Sequence, residues 1–122
     1  MTGSFNDGQP IFHQIAEMIE DDILNGTYQE NDKIYSMAQL ASTFKINPAT
    51  AVKGVSLLVN EDILYKKRGL GMFVSTNAKK IIMSKRRDRF LNELMFQFLD
   101  QAEKIGLTDE DVIKMIRLRK RR

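Results

Sequence analysis

Apolar residues recur at helical spacing near the start of the chain, which predicts an amphipathic helix. Ile15, Ile19 and Ile23 lie on one face of this helix. Pro10 suits its first turn, and we expect the helix to run to about Asn25. Residues 26–35 have the composition of turns and no period, so they predict an irregular connection.

Two further helices follow in close succession. The pattern S-x-x-Q at Ser36 is that of a capping box, so a short helix is predicted from Ser36 to about Phe44. Asn47 is a favourable N-cap and Pro48 suits the first helical position, so a third helix is predicted to run to about Asn60. Two helices joined by so short a turn form a helix-turn-helix. The positions expected to face the core are Met37, Leu40, Ala41, Phe44, Val52, Val55, Leu58 and Val59.

A β-hairpin is predicted directly after the third helix. Asp62 suits the turn that leads out of the helix, because Asp tolerates a left-handed backbone better than most residues. The stretches ILYKK (63–67) and MFVS (72–75) predict strands, with RGLG between them as the tip. The fold class is therefore mainly α with a small β-wing. We expect a winged helix-turn-helix domain over residues 10–76, preceded by an N-terminal arm of residues 1–9.

Residues 77–122 return to helical spacing and predict a short, two-helix C-terminal dimerisation region. The first helix has a wide apolar stripe and ends at Gly106, and Thr108 caps the second. Two helices cannot bury so broad a stripe against each other, so we expect a second copy of the chain to cover it in a two-fold dimer. The residues expected at that interface are Phe90, Leu91, Leu94, Met95, Phe98, Leu99, Ala102, Ile113 and Ile116.

Charge is distributed unevenly along the chain, although the net charge is only +3. Residues 1–44 carry one lysine and seven acidic groups, whereas residues 45–90 carry eleven basic and three acidic groups. Basic charge concentrated in this way favours a polyanionic partner such as nucleic acid, although a solvated basic face would have the same composition. The two later basic runs, KRRDR and RLRKRR, suit either flanking phosphates or a solvated helix surface.

The composition argues against several other classes of protein. With no cysteine and a single histidine, the chain has neither a disulfide framework nor a set of metal ligands. No nucleophile with its base, convergent carboxylate pair or phosphate-binding glycine loop is visible, so we do not expect an enzyme. No apolar run approaches the roughly 20 residues that span a bilayer, and the N-terminus does not resemble a signal peptide. We therefore expect a cytoplasmic protein with no membrane contact.

The outer face of the third helix and the hairpin carry side chains suited to DNA. The second helix of a helix-turn-helix enters the major groove, where Asn can pair with adenine, methyl groups can contact thymine, and Lys can reach guanine or phosphate. Arginine suits a narrow minor groove, and glycine lets the backbone approach the sugar-phosphate chain. The alternative for the hairpin is a solvated loop whose glycines serve only its turn. The candidate DNA-binding residues are Ser36, Asn47, Ala49, Thr50, Lys53, Lys66, Lys67, Arg68, Gly69 and Gly71.

Three stretches together resemble the DNA-binding domain of the GntR family of bacterial transcriptional regulators. They are PIFHQIAEMIEDDILNGTY, KIYSMAQLASTFKINPATAVKGVSLL and RGLGMFV, within about residues 10–76. The short C-terminal region is similar to that of the YtrA subfamily. This resemblance implies a homodimer that represses its own operon and neighbouring transporter genes. It also implies DNA contacts by Ser36, Asn47, Thr50, Lys53, Arg68, Gly69 and Gly71.

Two positions depart from the family pattern. Ala38 stands where the family usually has arginine, so one contact to phosphate or base is missing and the operator is expected to differ. Asp62 stands where relatives commonly have glycine, which costs little if the backbone there is left-handed. No cofactor is expected to be required, and neither the residues nor the resemblance identifies a small-molecule effector.

The leading hypothesis is a sequence-specific regulator, expected to be a repressor, that binds a palindromic operator as a homodimer. In this hypothesis residues 47–60 read the major groove and residues 66–73 contact the minor groove or backbone. The rival hypothesis is a winged-helix protein-interaction module that binds no specific DNA. Displacement of counterions by phosphate contacts makes DNA binding strongly dependent on salt, so a flat salt profile would favour the rival.

Overall fold

The computed structural model describes residues 8–120 of the chain. Most of the expected N-terminal arm, residues 1–7, and the last two arginines of the terminal basic run lie outside that range. The elements, in chain order, are α1 (Ile11–Leu24), α2 (Met37–Phe44), α3 (Pro48–Asn60), β1 (Leu64–Lys67), β2 (Gly71–Val74), α4 (Ala78–Arg89), a π-helical segment (Phe90–Met95), α5 (Phe96–Lys104) and α6 (Asp109–Leu118). The expected mainly helical fold with a small β-wing is confirmed. None of the helices within residues 8–120 is both long and apolar enough to cross a membrane.

Local side-chain chemistry sets the starts of α2 and α3, as the sequence predicts. The Ser36 hydroxyl accepts a hydrogen bond from the Gln39 backbone N–H at 3.1 Å, and the Gln39 side-chain oxygen accepts from the Ser36 N–H at 2.9 Å. Asn47 accepts from the Ala49 N–H at 2.8 Å, and Pro48 occupies the first turn of α3. These bonds satisfy backbone donors that the helices themselves leave unpaired.

Helix α1 and the two helices of the helix-turn-helix, α2 and α3, enclose one apolar core. Ile15, Ile19 and Ile23 of α1 are almost completely buried, as are Val55 and Leu58 of α3. The two helices approach closely at Gly54, where an added Cβ would lie 2.8 Å from the carbonyl oxygen of Phe12. Only glycine allows this approach without a shift of the backbone.

The wing is larger than the predicted hairpin. β1 and β2 pair antiparallel, with Leu64 opposite Val74 and Lys67 opposite Gly71. The segment 31–34 then pairs with the other edge of β2, because the Ile34 N–H donates to the Met72 carbonyl and the Val74 N–H donates to the Asp32 carbonyl. The connection over 26–35 contains no named helix or strand, as predicted, but the sequence did not predict the bridge between Lys33 and Phe73. The stretch KIY (33–35) is too short to show the alternation of a strand. Phe73, with which Lys33 pairs, lies about 40 residues further along the chain.

The first compact unit of the chain runs to Ser84. It includes the first half of α4, in which Ala78 and Ile82 are buried in the same core as the helix-turn-helix. The expected boundary after residue 76 falls earlier than this division. The apolar positions at the start of α4 belong to the core of the first unit.

The second unit begins at Lys85 and contains two helical stretches. The extent of the long helix agrees with the prediction, although Phe90–Met95 are π-helical, and Gly106 ends it with a left-handed backbone at φ 82°. Thr108 caps α6, its hydroxyl accepting from the Asp111 N–H at 3.2 Å. The Thr108 N–H donates to the Asp111 carboxylate at 2.9 Å, and hydrogen bonds from the backbone and the side chain of Thr108 lower the pKa of this carboxyl group.

Candidate nucleic-acid interface

The outer face of α3 presents most of the expected recognition side chains to solvent. Ala49 and Lys53 are exposed and Thr50 is half-buried. The side-chain oxygen of Asn47 is engaged by the Ala49 N–H, which leaves its NH₂ group to donate to a base or phosphate. A bidentate adenine contact would require the Asn47 oxygen to accept a second hydrogen bond through its remaining lone pair.

Val52 also lies on the outer face of α3, and its expected place in the core was wrong. It is 46% exposed, whereas its neighbour Ala51 is fully buried. The buried stripe of α3 runs through Ala51, Gly54, Val55 and Leu58, and adjacent helix positions point in directions about 100° apart. A small residue at 51 and a glycine at 54 allow α1 to cover that side. The outward side of the helix consequently offers an apolar side chain beside Ala49.

The start of α2 has an exposed polar end of the kind that binds phosphate. Ser36 is exposed, and its hydroxyl is already used to cap the helix. The remaining unpaired backbone N–H groups of the first turn and the positive end of the helix dipole favour a nearby anion. Ala38 is exposed in this first turn, so the position where the family pattern has arginine faces solvent.

The tip of the wing combines an exposed arginine with two glycines in left-handed conformations. Arg68 is exposed, and φ is 77° at Gly69 and 125° at Gly71. At 71 a side chain would also come within 3.0 Å of the Lys33 side chain. The turn therefore depends on glycine for its backbone geometry. It also keeps the backbone uncovered, which suits close contact with a sugar-phosphate chain.

The two lysines of β1 point to opposite faces of the wing. The Nζ of Lys67 lies 4.7 Å from the centroid of the Phe73 ring and 5.8 Å from that of Tyr65, so its ammonium group rests over two stacked aromatic rings. Lys66 faces the other way and is exposed. The wing thus presents positive charge on both faces, and the contact with the aromatic rings restrains the charged group of Lys67.

The structure adds side chains near the candidate site that the sequence reasoning missed. Lys33 packs alongside Gly71 of the wing, Leu70 is 60% exposed at its tip, and Phe12 lies beneath Lys53 of α3. Lys33 and Phe12 reach the site only through pairings distant in sequence, which no local pattern indicates. Leu70 could have been found, since an apolar residue between the glycines of a turn has no core to enter.

The expected dimerisation residues lie together in the second unit. They line most of an apolar groove of about 580 Å³, which Asp109 and Val112 also line. Leu94, Phe98 and Ile116 are each more than half exposed. Ala102 differs from the others, because it is buried within the unit and faces away from solvent. Leu91 is exposed but does not line the groove.

Comparison with known proteins gives consistent matches. Residues 12–74 match the model of the family described as bacterial regulatory proteins, gntR family. The HTH-type transcriptional repressor YtrA of Bacillus subtilis is 29% identical over 108 residues, which are 88% of this chain and 82% of the relative. A crystal structure of a GntR-family regulator from Bacteroides thetaiotaomicron is 36% identical, with a TM-score of 0.76 over 87% of this chain and 92% of that one.

A further match includes DNA. The crystal structure of the AraR DNA-binding domain in complex with operator ORX1 is 28% identical, with a TM-score of 0.54. It covers 62% of this chain and 92% of that one.

Proposed function

Because this chain belongs to the GntR family of bacterial regulatory proteins, we propose that it represses transcription by binding a palindromic operator as a homodimer. Members of this family are DNA-binding regulators and not enzymes, and the chain is a winged helix-turn-helix regulator of this kind. We infer a cytoplasmic location, where bacterial DNA lies. The repressor role is supported by the name of YtrA, which is similar over most of both chains.

The observation that carries the proposal is a recognition helix with a polar and basic outer face, joined in one compact unit to a basic wing. Asn47, Thr50 and Lys53 supply hydrogen-bond donors and a positive charge along the start of α3. In our proposal these side chains enter the major groove. Arg68 and the glycine backbone of the tip contact the minor groove or the phosphates beside it.

The homodimer is supported by the exposed apolar groove of the second unit. Side chains such as Leu94 and Phe98 would remain in contact with water in an isolated chain. A contiguous apolar surface of this kind is typical of a protein interface. Two copies related by a two-fold axis would present two recognition helices, which suits an operator with two inverted half-sites.

Fluorescence anisotropy tests the proposal directly. The labelled duplex carries the DNA immediately upstream of this protein's own gene, and a scrambled duplex serves as the reference at two salt concentrations. We expect the upstream duplex to bind about a thousandfold more tightly than the scrambled one, with affinity falling steeply as salt rises. Equal binding to both duplexes would contradict an operator in that region, and a flat salt profile would favour a protein-docking module.

Three variants assign the binding to the site. Lys53→Ala and Arg68→Ala should each weaken binding by about 1–3 kcal/mol while leaving the fold intact. Lys104→Ala removes the same charge from an exposed position in the second unit and serves as the matched control. Unchanged affinity in both Lys53→Ala and Arg68→Ala would contradict the site assignment, even if the wild-type protein bound its operator.

A further inference from the structure

Lys53 of the recognition helix is in contact with an aromatic ring from another helix. Its Nζ lies 4.1 Å from the centroid of the Phe12 ring. This separation is well within the range of about 6 Å over which a ring face attracts a cation. Phe12 lies in the first turn of α1 and is partly buried, whereas Lys53 is exposed. The charged end of an exposed lysine is therefore restrained by a residue outside the helix-turn-helix.

The backbone that carries this ring lies against the recognition helix. The backbone at Phe12 lies against Gly54, the residue that follows Lys53, where an added Cβ would come 2.8 Å from the Phe12 carbonyl oxygen. The ring of His13 also packs against that of Phe12, with centroids 4.4 Å apart and planes tilted by 31°. Movement of Phe12 would disturb both contacts. Lys53 therefore contacts a ring whose backbone is packed against α3 itself.

We propose that Phe12 is a positioning residue for DNA recognition, which holds the Lys53 ammonium group in place before DNA arrives. A lysine has a flexible four-carbon stem, and ordering such a side chain at an interface reduces affinity. A lysine already held over a ring loses less freedom on binding. Contact with the ring leaves the Lys53 ammonium group with N–H donors for a phosphate or a guanine.

This positioning role rests on the proposed function, because it requires that Lys53 contacts DNA. The positioning role also requires an aromatic ring at position 12, because the electron-rich face of the ring is what attracts the ammonium group. An apolar side chain of similar size would fill the same space without attracting the cation. Phe12→Leu and Phe12→Tyr therefore separate the two roles, since leucine keeps apolar packing and tyrosine keeps the aromatic face.

A double-mutant cycle on the full-length protein tests the proposal. Affinity for the upstream duplex is measured for the wild type, Phe12→Leu, Lys53→Ala and the double variant, with thermal unfolding as a check on the fold. We expect Phe12→Leu to weaken binding about two- to fivefold when Lys53 is present and to have no further effect in Lys53→Ala. Phe12→Tyr should bind as the wild type does. Phe12→Met replaces Phe12→Leu if the leucine variant does not fold.

Three results would overturn the positioning role while leaving the proposed function intact. Equal losses with and without Lys53 would mean that Phe12 only packs. No loss in Phe12→Leu would mean that the contact does not aid binding, and tighter binding would mean that the ring withholds Lys53 from DNA. If the wild type binds the upstream and scrambled duplexes equally, that region holds no operator. The cycle then reports on general DNA affinity, and the positioning role fails if Phe12→Leu does not weaken that affinity in the presence of Lys53.

The contact can also be measured without DNA. Protons of the Lys53 side chain that lie over the Phe12 ring should show upfield NMR shifts from its ring current. These shifts should be absent in Phe12→Leu and retained in Phe12→Tyr. Shifts that are the same in the wild type and Phe12→Leu would contradict the contact itself, independently of any result with DNA.

Discussion

Lys45 ends the first helix of the helix-turn-helix in a conformation that suits glycine better than lysine. Its backbone is left-handed, with φ 53° and ψ 47°, and its side chain is exposed. A residue with a Cβ pays roughly 1–2 kcal/mol to adopt this conformation. Glycine adopts this conformation without that cost, although it loses more conformational freedom on folding.

We therefore expect Lys45→Gly to be more stable than Lys45→Ala by about 0.5–1 kcal/mol in free energy of unfolding, measured by urea denaturation. Both substitutions remove the same charge, so the difference between them reports the backbone alone. Alanine keeps the left-handed strain and should lie close to the wild type. Equal stability of the glycine and alanine variants would show that the turn relaxes around a Cβ.

Tyr28 should make stability depend on alkaline pH. Burial raises the pKa of Tyr28 to about 12 in the folded protein, and its hydroxyl accepts a long hydrogen bond, 3.4 Å, from the Tyr35 N–H. The pKa in the unfolded chain is about 10, so the folded state holds this proton more tightly. The resulting stability is fully present below pH 10 and is lost as the pH rises from about 10 towards 12.

The Tyr28→Phe variant isolates this effect, since it has no hydroxyl to ionise at position 28. We expect the free energy of unfolding to fall more steeply above pH 10 in the wild type than in Tyr28→Phe, measured by urea denaturation between about pH 8 and 11.5. The two proteins differ only at this hydroxyl group, so the contributions of all other groups cancel in the comparison. Parallel curves would contradict the raised pKa.

At the residue scale, the sequence predicts positions that depend on local chemistry. The capping roles of Ser36 and Asn47 are confirmed, and so is the left-handed backbone at Asp62, where φ is 62°. Val52 was assigned to the wrong face, because the choice between Ala51 and Val52 depends on where α1 crosses α3. A hydrophobicity pattern predicts that the larger side chain, Val52, is buried, whereas close packing of two helices buries the smaller one, Ala51.

At the scale of elements, the helices and both strands of the wing were predicted well, and the bridge between Lys33 and Phe73 of β2 was missed. Each helix can be predicted from the capping residues and the apolar spacing within its own segment. The segment 31–34 becomes strand-like only because Ile34 and Asp32 find partners on β2. Its left-handed turn at Asn31, where φ is 66°, helps to bring it there. The Tyr65 hydroxyl, which donates to the Asn31 side chain at 2.8 Å, ties it to β1 as well.

Hydrogen exchange can test the pairing of segment 31–34 with β2 in the free protein. The N–H groups of Ile34 and Val74 donate across the pairing at 3.0 and 2.9 Å, so they should exchange slowly. Lys33 lies opposite Phe73 in a pair that is not directly hydrogen-bonded. Its N–H therefore points away from β2 and should exchange fast. This alternation is measured residue by residue in NMR spectra recorded after transfer to D₂O. Equally fast exchange at Ile34 and Lys33 would mean that the segment is only a loop resting beside the wing.

At the scale of the whole molecule, the second unit has little apolar interior of its own. Only Ala102 and Val112 are buried among its described apolar residues, while Leu94, Phe98 and Ile116 are more than half exposed. The sequence predicts this exposed stripe because its width exceeds what two helices can cover. The identity of the covering partner does not follow from the stripe, since any complementary apolar surface could bury it. The proposal of a second copy therefore needs its own test.

Leu94→Asp and Phe98→Asp provide that test, because each would place a charge in the apolar groove of the proposed interface. Burying an unpaired carboxylate is costly, so we expect both variants to sediment as folded monomers while the wild type sediments as a dimer. Gln97→Asp places the same charge on an exposed neighbour that does not line the groove, and it should remain dimeric. Operator affinity should fall in the two monomeric variants, because a single chain contacts only one half-site. A monomeric wild type would contradict the dimer, whereas monomers that bind the operator as tightly as the wild type would show that one chain reads the whole site.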